Sequence, residues 1–278
     1  MSTAGIDEVA AAAADQQEQQ QAAATVTAMP SKDPAAAKPV LWFQLYVMKQ
    51  REVTEAMIRQ AEELGYDALM VTVDAPRLGK RDRDERNKFS LPPGLVLKNI
   101  EVLTRGAGHT QHEESDEGSA FGRHFSNLFD RDLTWDFISW LKGRTKLPVV
   151  IKLGVDAIIV SNHGGRQLDH SPAAVDVLPH IARAVQGRIP ILVDGGIRRG
   201  TDVVKCLALG ASAVCLGRPV LWALALGGQQ GVQSALELLK YEVELAMALL
   251  GCRSINEVTN DFIVPPRGGE LQLPQSRL

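Results

Sequence analysis

Residues 157–169, AIIVSNHGGRQLD, and residues 191–200, ILVDGGIRRG, decide the fold of this chain. Each stretch begins with a continuous apolar run and then becomes polar and rich in glycine. An apolar run without alternation predicts a strand buried on both faces, as in a parallel sheet. The sequence predicts six such strands, at 41–47, 68–73, 149–152, 157–162, 191–194 and 213–217.

Helical patterns separate these strands. Apolar residues at helical spacing predict the helices 52–64, 135–141, 175–185, 202–209 and 232–250. Thr134 is predicted to cap the second of them. The polar stretch 77–131 is predicted to be a functional or disordered loop. Strands that alternate with helices predict a parallel β/α architecture, and a (β/α) barrel needs eight strands.

Composition excludes several classes of protein. The 278 residues carry a formal net charge of −3 and are 45% hydrophobic but only 5% aromatic. This balance argues against a nucleic-acid surface. No apolar run reaches the length of about eighteen residues that a membrane span needs. The three cysteines fit neither a disulfide framework nor a zinc site, so we expect a soluble intracellular enzyme without a metal.

The two ends differ from the middle of the chain. Residues 1–40 are rich in Ala and Gln and are predicted to be a disordered leader. Residues 41–265 are predicted to form the catalytic part, and residues 266–278 a tail. The tail ends in Ser276-Arg277-Leu278, one conservative change from a peroxisomal Ser-Lys-Leu signal. We therefore expect a peroxisomal protein, with the cytoplasm as the alternative.

Polar side chains stand where the predicted strands end. The active site of a β/α barrel lies at the carboxyl ends of its strands, so these residues are candidates for the chemistry. They are Gln44, Tyr46, Thr72, Asp74, Lys152, Ser161, Asn162, His163, Asp194 and Arg218.

Two of these strand ends predict a phosphate site. Asp194-Gly195-Gly196-Ile197-Arg198 follows one strand and leads into a helix, and Gly217-Arg218 follows the next strand. Glycines allow a phosphate to approach the backbone, and the amides at a helix start favour an anion. The alternative interpretation is a tight turn with solvated arginines.

His163 is the candidate base. An imidazole has a pKa suited to proton abstraction near neutral pH, and Arg166 can form two parallel hydrogen bonds with a carboxylate. Asp74 can orient and stabilise a protonated imidazole. The alternative is a hydrogen-bonded turn histidine. Lys152 either faces a cofactor that gains negative charge or extends to solvent, and its position alone does not decide.

Five blocks together resemble the FMN-dependent 2-hydroxy acid oxidases and dehydrogenases, which include plant glycolate oxidase and the cytochrome-linked L-lactate dehydrogenases. The resemblance extends over residues 40–263 and is most specific in its third and fourth blocks. The blocks are 43–47 (FQLYV), 71–80 (VTVDAPRLGK), 157–169, 191–210 and 216–220 (LGRPV).

The resemblance implies FMN as the cofactor and a role for each candidate residue. His163 would be the base and Asp74 its support, Arg166 and Arg81 would hold the substrate carboxylate, and Tyr46 would contact the substrate hydroxyl. Lys152 would face the N1 edge of the flavin. The other implied flavin contacts are Gln44, Tyr46, Thr72 and Ser161 at the ring or ribityl chain, and Asp194, Gly195, Gly196, Ile197, Arg198, Gly217 and Arg218 at the ribityl chain and phosphate.

The sequence departs from the family pattern in two places. About a hundred family residues that precede the FQLYV strand, including the first two barrel strands, have no counterpart here. Only residues 153–156 separate Lys152 from Ala157, whereas parallel neighbours need a crossover of about a dozen residues. The expected fold is an incomplete TIM-type (β/α)8 barrel with about six of eight strands and one missing crossover helix. A hairpin that reverses one strand is the alternative.

Two functional hypotheses follow. The chain oxidises a small (S)-2-hydroxy acid of the glycolate or L-lactate class, with oxygen as acceptor and hydrogen peroxide as product, as a homo-oligomer. Alternatively, it is an inactive or misfolded family member, such as a splice form, a gene-model artefact or a pseudoenzyme. An IMP-dehydrogenase-like barrel would share only the glycine-rich loop and lacks support from residues 157–169.

Overall fold

The computed structural model of the chain describes residues 40–77, 79–89, 92, 95, 128–151 and 155–264. The chain divides into two compact units, of which the first ends at residue 154 and the second begins at Val155. Each unit contains its own three-stranded sheet. Nearly all of the predicted leader, the tail with its Ser276-Arg277-Leu278 end, and Lys152 lie outside the described residues.

The first unit has the strand order β1-β2-β3, and all its strands are parallel. Tyr46 at the end of β1 lies beside Thr72 at the end of β2, so the two strands stop at the same level. The elements in chain order are β1 (Trp42–Tyr46), α1 (Arg51–Glu63), β2 (Ala68–Thr72), α2 (Asp82–Arg86), α3 (Trp135–Lys142) and β3 (Val149–Val150).

Helix α1 buries the apolar face that its sequence predicts. Its buried residues include Val53, Met57, Ile58 and Ala61. Thr54 is also fully buried, and its hydroxyl accepts a hydrogen bond of 3.1 Å from the amide of Met48. This bond offsets the cost of placing a hydroxyl in an apolar interior.

The second unit repeats the pattern with the strand order β4-β5-β6, again all parallel. A 3-10 turn follows β4, and two more follow the last helix. The elements are β4 (Ile158–Val160), the turn His163–Gly165, α4 (Ala174–Val185), β5 (Ile191–Val193), α5 (Gly200–Ala208), β6 (Ala213–Val214), α6 (Arg218–Leu250), and the turns Ile255–Glu257 and Asn260–Phe262.

All six predicted strands are present, and the predicted helix 232–250 forms the second part of a longer helix whose first part was not predicted. Helix α6 begins at Arg218 rather than at residue 232, and Gly251 ends it as expected. The helix is kinked at Gly227 (φ −148°) and Gly228 (φ 57°). Because the kink changes the direction of the helix axis, the apolar spacing is not continuous across it. The helical pattern of 232–250 therefore does not extend into the first segment.

Two other local predictions differ from the structure. The polar stretch 77–131 contains the short helix α2, whose residues are all outside the core. Thr134 does precede α3, but its side chain forms no capping hydrogen bond. No helix in the described ranges is both long and apolar enough to cross a bilayer.

The connection between β3 and β4 is short, and these two strands belong to different sheets. Strand β3 pairs with β2, whereas β4 pairs with β5. Residues 151–157 are too few for the crossover that parallel neighbours need. Every ladder between the described strands is parallel, so the hairpin alternative, in which one strand is reversed, is not observed.

Helices α5 and α6 meet at Gly200. A Cβ atom at this position would lie 2.3 Å from both the carbonyl carbon of Glu242 and the amide nitrogen of Val243. The amide of Gly200 donates a hydrogen bond of 2.7 Å to Oε2 of Glu242. Close approach of the two backbones therefore depends on the absence of a side chain at residue 200.

We expect Gly200→Ala to lower the free energy of unfolding by about 1–3 kcal/mol, because the added methyl group pushes against backbone atoms that cannot rotate away. The matched control is Gly143→Ala, since φ there is −75° and the nearest atom to its Cβ would be 3.6 Å away. Urea denaturation measures both. Equal stability of the two variants would contradict the prediction.

Candidate active site

The strand ends of the first unit bring a group of polar side chains together. Nε2 of Gln44 donates a hydrogen bond of 2.8 Å to Oγ1 of Thr72. These residues belong to neighbouring parallel strands whose ends are level, so their side chains share one face of the sheet.

Tyr46 lies at the centre of this group. Its ring stacks on the ring of Phe129, with centroids 4.8 Å apart and planes 19° from parallel. Burial raises the pKa of the Tyr46 hydroxyl, and the carboxylate of Asp74 raises it further, while a hydrogen bond with Gln44 and the charge of Arg81 act in the opposite direction. The Tyr46 hydroxyl therefore stays neutral well beyond physiological pH and is available as a hydrogen-bond donor.

Every described site residue that the sequence predicts in this unit belongs to the group. Asp74 and Arg81 are near enough to act on the titration of Tyr46, and Gln44 contacts both Tyr46 and Thr72. Lys152, the remaining predicted residue of this unit, lies outside the described part of the chain.

In the second unit, His163 stands in a left-handed turn. His163, Gly164 and Gly165 have φ values of 58°, 63° and 70°. A left-handed conformation is costly for a residue with a side chain, although histidine adopts it more often than most. Oγ of Ser161 accepts a hydrogen bond of 2.9 Å from the amide of His163 and so supports the turn.

Arg218, the first residue of α6, contacts this turn. Its Nη2 donates a hydrogen bond of 2.8 Å to the carbonyl of Gly164. A Cβ atom at Gly164 would lie only 3.1 Å from that nitrogen. Arg166 directly follows the turn and is exposed. The described structure thus places His163, Arg166 and Arg218 on one connected loop system.

The start of α5 differs from the prediction. The amides of Arg198 and Arg199 both donate to Oδ2 of Asp202 at 3.0 Å, and the amide of Gly200 donates to Glu242. Carboxylates of the protein itself occupy these three amides, so a phosphate at this loop would need other groups to hold it.

Glycine backbone remains open to a ligand beside this helix start. Gly195 and Gly196 have φ values of 90° and 79°. Among the described residues, apart from the two chain neighbours, no atom lies within 4 Å of a Cβ built at Gly196 or Gly217. Ile197, by contrast, is buried, so only its backbone can face a ligand. A phosphate group can therefore approach the backbone at these glycines without a steric barrier.

Two further side chains of this loop have defined neighbours. The guanidinium of Arg198 lies 4.6 Å from the ring centroid of Trp222, in a cation–π contact. Burial raises the pKa of the Cys215 thiol, and the carboxylate of Asp194 raises it further, which places Asp194 beside the end of β6.

Sequence reasoning missed several residues that build these loops. Asp202 stands three positions after Arg199 and accepts from its amide, which is one half of a capping box, and an acidic residue at this spacing is a signal in the sequence. Phe129 and Trp222 are aromatic residues in segments without a periodic pattern, and Glu242 is one charged residue among several on α6. Nothing in the sequence marks these three.

Comparison with known proteins identifies the family. The profile of the FMN-dependent dehydrogenases matches residues 1–265. A 2-hydroxyacid oxidase of Dictyostelium discoideum is 47% identical over 80% of this chain and 58% of its own length. An L-lactate oxidase of Nostoc sp. is also 47% identical, over 80% of this chain and 63% of its own length.

Solved structures agree with this result. Mandelate oxidase in complex with (S)-4-hydroxymandelic acid has a TM-score of 0.71 and is 43% identical, with 77% of this chain and 62% of that chain covered. The chain spans about six tenths of the length of the curated relatives it matches. Its fold class is therefore that of the TIM-barrel flavin oxidases, in incomplete form. The chain belongs to the family of FMN-dependent dehydrogenases, whose cofactor is FMN.

Proposed function

We propose that this chain binds FMN and oxidises a small (S)-2-hydroxy acid, of the glycolate or L-lactate class, to the 2-oxo acid. Oxygen is the proposed acceptor and hydrogen peroxide the second product. The left-handed turn His163–Gly165 carries this proposal, because it holds a histidine at the end of a parallel strand directly before Arg166. A base next to a carboxylate-binding arginine is what removal of a proton from a hydroxy acid requires.

The residues present fit FMN. The open backbone at Gly196 and Gly217 leaves space for a phosphate, and Arg198 and Arg218 supply positive charge to it. Asp194 and Ile197, through its backbone, line the same loop together with Gly195 and are proposed to hold the ribityl chain. When bound, FMN accepts the two electrons that leave the substrate.

The protein's own side chains bind and orient the hydroxy acid. The family resemblance assigns the substrate carboxylate to Arg166 and Arg81, and it assigns removal of a proton from the substrate to a ring nitrogen of His163. It assigns to Asp74 the support of this base. The hydroxyl of Tyr46, kept neutral by burial and by Asp74, donates a hydrogen bond to the substrate.

Further residues are assigned to the flavin ring and ribityl chain. Gln44 and Thr72, which are hydrogen-bonded to each other, and Ser161 are proposed contacts of this kind. Lys152 is proposed to supply a positive charge to the ring. The tail Ser276-Arg277-Leu278 supports import into peroxisomes, and the cytoplasm is the alternative location.

An absorbance spectrum tests the proposal. The protein is supplemented with FMN, desalted, and then mixed anaerobically with glycolate or L-lactate. We expect retained flavin bands that bleach with substrate. We also expect His163→Ala to keep the bands but to bleach at least about 100-fold more slowly, as is typical for loss of a general base.

The control for that variant is His170→Ala. His170 is also a loop histidine with positive φ, 57° against 58° for His163, but it is almost fully exposed. We expect it to bleach at the wild-type rate. A colourless wild-type protein, or retained flavin that no hydroxy acid bleaches, would favour the inactive alternative.

Arg198→Gln is expected to weaken binding of FMN by about 10–100-fold and to leave binding of riboflavin unchanged, because riboflavin lacks the phosphate group. Flavin fluorescence titration measures both dissociation constants. Arg188→Gln is the control, since the Arg188 side chain donates to the carbonyls of Val185 and Ala184 at the end of α4. Equal losses for FMN and riboflavin would exclude a phosphate contact.

The Tyr46 hydroxyl is expected to ionise above pH 10, because burial and Asp74 raise its pKa. A neutral form favoured by the fold stabilises the protein below that pH, and this contribution is lost as the pH rises through the raised pKa. Carbon-13 NMR of tyrosine-labelled protein follows the titration, and Tyr46→Phe identifies the signal. A midpoint at or below 10 would refute the expectation.

A further inference from the structure

We propose that Asn162 is a positioning residue for His163. It stands between Ser161 and His163 and, in this proposal, contacts neither substrate nor flavin. Its side chain holds the left-handed turn in the shape that presents the imidazole. This inference rests on the proposed function, in which His163 is the base.

The turn needs outside support. Three consecutive residues, 163–165, have positive φ values, and the first of them carries a side chain. Single left-handed residues are common in turns, whereas a run of three with a histidine is not self-sustaining. The conformation therefore persists only while neighbouring groups hold it.

Asn162 holds the turn from two sides. Its Oδ1 accepts a hydrogen bond of 3.0 Å from the amide of Gly165, the last residue of the turn. Its Nδ2 donates a hydrogen bond of 3.2 Å to the carbonyl of Pro172, just before α4. One amide side chain thus fastens the turn to the far end of the loop that contains Arg166.

Two other side chains support the turn at different atoms. Oγ of Ser161 binds the amide of His163, and Nη2 of Arg218 binds the carbonyl of Gly164. Neither contact reaches Gly165 or Pro172. The amide of Gly165 also donates a hydrogen bond of 3.1 Å to the backbone carbonyl of Asn162. Loss of the Asn162 side chain therefore loosens the end of the turn and frees it from Pro172 while its beginning stays attached, which shifts the imidazole without removing it.

Two variants separate the two hydrogen bonds. Asn162→Ala removes both of them. Asn162→Asp keeps an oxygen for the amide of Gly165 but loses the donor to Pro172. Asn260→Ala is the control, because Asn260 also lies at the start of a 3-10 turn, Asn260–Phe262, that is not in the proposed site.

The first measurement is the rate of flavin reduction by glycolate or L-lactate under anaerobic stopped-flow conditions. We expect about a 10–100-fold lower rate constant in Asn162→Ala, a smaller loss in Asn162→Asp, and wild-type rates in Asn260→Ala. The apparent KM and the FMN dissociation constant are expected to stay within about twofold, which a general loss of structure would not allow.

A wild-type rate in folded Asn162→Ala would overturn the proposal. If that variant does not fold, a wild-type rate in Asn162→Asp has the same meaning. Parallel losses of FMN binding and reduction rate would also overturn it, since the residue would then be structural.

The second measurement separates this inference from the proposed function. Amide hydrogen exchange at Gly165 is expected to be at least about tenfold faster in Asn162→Ala than in the wild type or in Asn260→Ala. Unchanged exchange would overturn the positioning role. A wild-type protein that keeps FMN but is not reduced refutes the proposed function alone, and the exchange at Gly165 still decides whether Asn162 holds the turn.

Discussion

Parallel pairing of short strands determines where the loops of each sheet emerge. Val160, Val193 and Val214 lie side by side in β4, β5 and β6. Because the strands run in the same direction, the residues that follow them must emerge at one edge of the sheet. Sequence positions more than fifty residues apart, such as those of Gly164 and Arg218, become hydrogen-bonded neighbours for this reason.

The backbone amides of the loop residues beyond the strand pairing have no neighbouring strand as a hydrogen-bond partner. In the second unit, side chains satisfy them, since Ser161 and Asn162 bind amides of the turn and Asp202 binds two amides at the start of α5. Each of these hydrogen bonds joins residues that are close to each other in the sequence. Local side-chain hydrogen bonds therefore hold the loops at these strand ends in a fixed conformation.

Much of this arrangement can be predicted from sequence, since the strands are continuous apolar runs and the site residues follow them directly. The limits are physical. The kink at Gly227 and Gly228 hides the first segment of α6 because helical periodicity fails where the axis turns. The contact of Gly200 with Glu242 and the stacking of Tyr46 on Phe129 join residues distant in sequence, and no local pattern encodes them.

The occupied start of α5 changes the physical basis of phosphate recognition. A free helix start attracts an anion through its amides and its dipole. Here Asp202 and Glu242 place negative charge on that start, which opposes a second anion at the same amides. In the proposed site, the glycine backbone at Gly196 and the side chains of Arg198 and Arg218 remain for a phosphate. Because Arg198 stacks on Trp222, its charge is held in place before a ligand arrives, which lowers the entropy lost on binding.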